Sequence, residues 1–172
     1  MNGAILLIPL FLIRYGLLAL INKTALPKAA YFPPMQKAEK VMFYIYQIST
    51  ILILIYMFFL NITAIDVISK TGLGVYALGV VSFATATVNF AKPDAGGINQ
   101  YGLYRLSRNP MYVAYFIYFL GCALITHSSL LLILVCVFQI AAHWIILAEE
   151  RWCIQTFGEE YTQYMNKVRR YI

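Results

Sequence analysis

The chain has 172 residues, 62% of them hydrophobic and 12% charged, with a formal net charge of +6. Soluble domains carry roughly a quarter charged residues, so water is excluded as the main solvent and lipid takes its place. The basic residues fall in three separate segments, which excludes the single basic face of a nucleic-acid binder. The three cysteines, Cys122, Cys136 and Cys153, lack metal-ligand spacing, so no metal site is expected.

A membrane helix needs about 20 mostly apolar residues. Segments 3–21, 41–60, 72–90, 111–126 and 129–147 reach or approach that length. The expected fold is all-α: one polytopic membrane domain of about five transmembrane helices, with spans one and two in residues 1–70 and the rest in 71–172. Met1-Asn2-Gly3 carries no basic side chain, and Lys23 and Lys28 follow the first apolar run. That order reads as a retained helix rather than a secretory signal. Arg14, within the first span, reads as a side chain that snorkels to the nearer surface.

Residues 22–40 contain Pro27, Pro33 and Pro34 and read as a structured linker. They carry Lys23, Lys28, Lys37 and Lys40; segment 91–109 carries Lys92, Arg105 and Arg108; segment 148–172 carries Arg151, Lys167, Arg169 and Arg170. Basic residues concentrate in cytoplasmic loops. The pattern predicts an outside N-terminus and a cytoplasmic C-terminus. Asp66 reads as a solvated loop residue. The turn at Thr126-His127-Ser128-Ser129 is short enough only for an antiparallel hairpin of spans four and five, with His127 as a turn residue.

The stretch "GLYRLSRNPMY" (102–112) opens span four, and "AEERWCIQTFGEEYTQYMNKVRRYI" (148–172) leaves span five. Hairpin topology brings both to one membrane face. Pro110 suits the first turn of a helix, whose free N–H groups favour anionic or polar ligands. Gly96, Gly97 and Gly102 let backbone approach a ligand closely, and Tyr104 and Tyr112 offer rings to cover one. Glu149 and Glu150, read as lying at the end of span five, oppose the helix dipole, which points to a role beyond stability. His143 lies seven residues before Glu150 on the same helical face, and an ionisable residue inside a membrane is a functional candidate.

Together these motifs resemble the isoprenylcysteine carboxyl methyltransferase and phospholipid methyltransferase group of integral-membrane enzymes, over about residues 85–172. The matching elements are Gly102-x-Tyr104, Arg108-Asn109-Pro110-x-Tyr112 with Asn for the commoner His, the Glu149-Glu150 pair, and Phe157-Gly158-x-x-Tyr161-x-x-Tyr164. The resemblance implies S-adenosyl-L-methionine as cofactor. It implies a pocket built by the hairpin of spans four and five and a cytoplasmic, amphipathic C-terminal helix. Its binding residues would be Gly96, Gly97, Ile98, Asn99, Tyr104, Arg108, Asn109, Pro110, Met111, Tyr112 and Glu149. Glu150, His143 and Arg151 are the candidate catalytic residues. Ile145 departs from the prenylcysteine enzymes, which carry an Arg there for the substrate carboxylate. That departure points to a phospholipid amine or small thiol rather than an isoprenylcysteine-like carboxylate as the lipophilic acceptor. Two alternatives stay open: an NADPH-dependent membrane sterol or lipid reductase, which has a similar Arg-His-Pro-x-Tyr turn, and a small non-enzymatic transport or assembly subunit. Expected partners are the lipophilic substrate and membrane lipids.

Overall fold

A computed structural model describes residues 1–62, 66–92 and 97–172. Among these the chain is helical, apart from an isolated antiparallel bridge between Asn2 and Asn61. The helices are α1 (Gly3–Ile21), α2 (Ala25–Ala29), α3 (Lys37–Met57), α4 (Val67–Ala91), α5 (Pro110–Ile125), α6 (Ser129–Phe157) and α7 (Glu159–Lys167), with a 3₁₀ turn at Gly102–Arg105. Four of them, α1, α3, α4 and α6, are long and apolar enough to cross a membrane. α5, the fourth expected span, is apolar but has only 16 residues.

α1 is composite. It starts as a 3₁₀ helix, passes through α-helical turns, and widens into a π-helical stretch at Leu12–Leu17. Its start is stitched to the end of α3: the Gly3 amide donates to the Leu60 carbonyl at 2.7 Å, and the Asn2 carboxamide donates to Phe58 at 2.8 Å. The Asp66 carboxylate caps α4 by accepting from the Ser69 amide at 2.8 Å. That bond holds Asp66 below the usual carboxylate range. His127, in the turn between α5 and α6, has a φ of 50° and places Nε2 2.8 Å from the Ser69 hydroxyl and 3.2 Å from Asp66.

α4 and α5 form the closest helix pair, and glycine is the reason. A Cβ on Gly79 would run into the backbone of Tyr118, and one on Gly121 into the backbone of Tyr76. Small residues let membrane helices approach closely where no hydrophobic effect drives them together. α3 packs on α6, and the Tyr76 hydroxyl donates 2.9 Å to the Leu6 carbonyl, drawing α1 onto α4. The core holds Ile53, Met57, Phe83, Tyr118, Leu131 and Val135 with Leu6, Leu7 and Leu10 from α1. The outer faces expose Leu20, Ile51, Leu78, Val81 and Ile140, the surface expected where lipid is the solvent.

Three boundaries differ from the sequence expectation by four residues or more, the first being α4, which begins at Val67 rather than 72, where Asp66 caps it. α3 begins at Lys37 rather than 41, because Glu39 caps its N-terminus by accepting from the Gln36 amide at 2.7 Å. α6 continues to Phe157, so Glu149 and Glu150 lie within it rather than at its end. The polar run looked like a span's end, yet backbone hydrogen bonding continues there, and glycine at 158, with φ of 58°, stops the helix.

Candidate active site

Residues 101–103, ahead of α5, are fixed by Asn89. Its side-chain oxygen accepts from the Leu103 amide at 3.0 Å, and its carbonyl accepts from the Tyr101 hydroxyl at 2.9 Å. Gly102, with φ of 59°, lies against that carboxamide so closely that a Cβ would collide with it. The segment is held from the other side by α7: the Tyr164 hydroxyl donates 2.6 Å to the Tyr104 carbonyl, and Ile98 packs among Tyr161 and Tyr164. Burial raises the phenol pKa of Tyr104, Tyr161 and Tyr164, so these hydroxyls remain donors at neutral pH.

Arg108 crosses the gap between this segment and the tail. It meets Glu150 at 2.9 Å and donates to the carbonyls of Met165 and Val168 at 2.9 and 2.7 Å. Arg170 reaches the other Glu150 oxygen at 2.9 Å. The Asn109 carboxamide donates to the Arg170 carbonyl at 3.2 Å and to Glu150 at 3.4 Å. Glu150 is only 4% exposed, and a buried carboxylate is tolerable when both oxygens are paired in this way.

These supports enclose a cavity of about 600 Å³, within the range of roughly 300–1,000 Å³ usual for small-molecule sites. Nine of the residues expected to bind a cofactor line it: Gly97, Ile98, Asn99, Tyr104, Arg108, Asn109, Met111, Tyr112 and Glu149. Pro110 starts α5 beneath it without forming its wall, and Gly96 lies outside the described residues. The Tyr112 hydroxyl donates 2.7 Å to one oxygen of Glu149. The other Glu149 oxygen has no hydrogen-bond partner among the described residues, and the buried Asn99 side-chain oxygen also lacks one. Buried acceptors without donors are rare in folded proteins. Among the residues lining the cavity, the Asn99 oxygen is such a buried acceptor, and the unpaired oxygen of the half-buried Glu149 belongs to the same wall.

A model of the phospholipid methyltransferase family matches residues 45–160. The chain belongs to that family. Membership implies a membrane methyltransferase and selects methyl transfer over the reductase and subunit alternatives. The matched residues of this methyltransferase run from α3 to the first turn of α7 and take in most of the cavity wall. No curated protein matches the chain.

The three residues expected to be catalytic do not line the cavity. Glu150 is paired as described. His143 Nδ1 lies 2.6 Å from the Tyr171 hydroxyl. Arg151 forms a two-point ion pair with Glu39, at 2.6 and 2.7 Å. Ile145 is fully buried and also faces away. The sequence reading missed Trp152, Cys153, Phe157, Tyr161 and Tyr164 as wall residues. Their signal was spacing: Trp152 and Cys153 follow Glu149 by three and four residues, one helical turn on the same face.

Proposed function

We propose that the chain is an S-adenosyl-L-methionine-dependent methyltransferase acting on a lipophilic acceptor at the membrane boundary. The observation that supports this reading is the cavity wall in which Glu149, oriented by Tyr112, keeps one unpaired carboxylate oxygen among aromatic rings, with the buried, unsatisfied Asn99 oxygen in the same wall. Those acceptors suit the amino and ribose hydroxyl groups of such a cofactor, and Trp152 and Phe157 offer faces for its adenine ring. When bound, the cofactor supplies a methyl group on a positively charged sulfur.

The protein's part is alignment, which can supply several kcal/mol of a barrier. Glu149 holds the donor, with Gly97, Ile98, Asn99, Tyr104, Arg108, Asn109, Met111 and Tyr112 around it. With Glu149 taken up by Tyr112 and the donor, an amine acceptor reacts from its neutral form and a thiol from its thiolate, neither needing a base in the wall. Glu150, His143 and Arg151 are assigned positioning roles. The amine or thiol acceptor rests on the sequence departure at Ile145, which takes no part in the cavity wall itself. The three basic segments support a cytoplasmic side for the cavity end of the bundle and for the C-terminus.

The test is titration calorimetry of the purified protein with S-adenosylhomocysteine and, in parallel, NADPH. A lost hydrogen bond to a charged group is worth about 1.5–3 kcal/mol, so Glu149→Ala should weaken S-adenosylhomocysteine binding roughly ten- to a hundredfold. Binding of NADPH alone, or equal affinity in a folded Glu149→Ala variant, would overturn the assignment.

A further inference from the structure

The reading above fills the larger cavity with a donor and leaves the acceptor's binding unexplained. A second cavity, of about 230 Å³, adjoins the first and shares Met111, Tyr112 and Glu149 with it. Its distinctive wall residue is Arg14.

Arg14 is in an unusual position for a cation. It lies eight residues before Asn22, roughly 12 Å from the end of α1 at 1.5 Å per residue. A charge placed in an apolar span is costly unless it is paired. Among the described residues, no carboxylate forms an ion pair with Arg14. Its hydrogen bond goes to a neutral acceptor, the Ala29 carbonyl. A guanidinium has five N–H donors, so most remain available.

The backbone around it is unusual too. Arg14 belongs to the π-helical stretch Leu12–Leu17, and such turns are rare and frequent at functional sites. The neighbouring arginines cannot serve the same end. Arg108 is taken by Glu150 and two tail carbonyls, and Arg151 by both oxygens of Glu39. Lys28, also in the wall, is exposed at the cavity's edge.

We infer that Arg14 is the anion handle of the acceptor site: it binds the phosphate or carboxylate group of a lipid head and holds that head beside Tyr112 and Glu149. The planar guanidinium fork matches either oxyanion with two hydrogen bonds. Calling the ligand an acceptor rests on the proposed methyl transfer; the anion site itself does not. Arg14 precedes the family-matched residues 45–160. The handle therefore belongs to this chain's own N-terminal helix rather than to the part it shares with the family model.

The experiment uses the full chain in neutral detergent. Binding of dioleoylphosphatidic acid, dioleoylglycerol and inorganic phosphate is measured for the unaltered protein, Arg14→Gln and Arg14→Lys, with S-adenosylhomocysteine as a parallel arm. Arg14→Gln should weaken phosphatidic acid binding roughly ten- to a hundredfold and leave dioleoylglycerol and S-adenosylhomocysteine affinities unchanged. Should Arg14→Gln not fold, Arg14→Lys carries the test: it keeps the charge, loses the fork, and should show a smaller loss of the same selectivity. Displacement of the lipid by inorganic phosphate would assign the site to the anion alone. A lack of displacement would assign it to the anchored head. Equal phosphatidic acid affinity with and without Arg14, or an equal loss for dioleoylglycerol, would overturn the inference. Absence of S-adenosylhomocysteine binding, with the Arg14 effect intact, would remove the methyl-transfer reading and leave the anion site standing.

Discussion

Arg151 and Glu39 are 112 residues apart in the chain and share two short hydrogen bonds, at 2.6 and 2.7 Å. The pair joins α6 to the first turn of α3 and closes the bundle beside the cavity. Arg151 is thereby committed to structure. Arg151→Ala and Glu39→Gln should each lower the unfolding temperature in detergent, and the double variant should be little worse than either alone. The coupling from that cycle should be about 1 kcal/mol, the upper range for half-exposed pairs. Strictly additive losses would show that the two residues act separately.

The two adjacent glutamates should fail in different ways. Glu150 does not line the cavity and is paired with Arg108, from the cavity wall, and with Arg170. Glu150→Ala strands two guanidinium groups, and breaking a buried pair costs about 3–5 kcal/mol. Its signature should be a large loss of thermal stability. Glu149→Ala should leave the unfolding temperature nearly unchanged and weaken S-adenosylhomocysteine binding. Matching melting curves for the two variants would count against this division of labour.

Tyr112→Phe removes one hydrogen bond and keeps the ring. The net worth of such a bond is about 0.5–1.5 kcal/mol. Calorimetry should find S-adenosylhomocysteine affinity reduced roughly two- to twelvefold, less than for Glu149→Ala. A larger loss than Glu149→Ala would mean that the hydroxyl, not the carboxylate, meets the ligand.

Gly121→Val forces a side chain into the Tyr76 backbone and separates α4 from α5. Overpacking typically costs about 1–3 kcal/mol. The loop held by Asn89 should loosen with the pair, so thermal stability and S-adenosylhomocysteine affinity should fall together. A stable variant with full affinity would show that the close approach does not position the site.

The proposed orientation is checked by cysteine substitution at Ile68 and Ser128 in a protein freed of its native cysteines. Both positions lie at the end of the bundle opposite the cavity, near the contact of Asp66, Ser69 and His127. A membrane-impermeant reagent should label both from outside intact cells. Labelling only after the cells are opened would reverse the topology.

What the sequence made legible follows from range. The α5–α6 hairpin and the turn at Pro110 are local: a proline, a short loop and apolar runs specify them within a few residues. The Tyr112 and Glu149 neighbourhood was legible because that hairpin must bring both to one face. The partners of Arg151 and Glu150 were not, since Glu39, Arg108 and Arg170 carry no local mark of where their charges go. Arg14 was hidden for a related reason. In a sequence, a lone arginine near a span's end reads as one reaching for water; only the fold shows a cavity beside it and, among the described residues, no carboxylate in an ion pair with it.

α5 and α6 start from one tight turn but are 16 and 29 residues long. At 1.5 Å per residue they rise about 24 Å and about 43 Å, against roughly 30 Å of hydrocarbon. Measured from the turn, α5 is shorter than that thickness and α6 longer. The cavity is lined from both, by Met111 in the first turn of α5 and by Phe157 at the end of α6. For the proposed methyl transfer, a chamber walled by two helices of unequal length lets a water-borne reactant and a fat-soluble one meet without either being dragged through the other's medium, and the difference in length sets the depth of that meeting place.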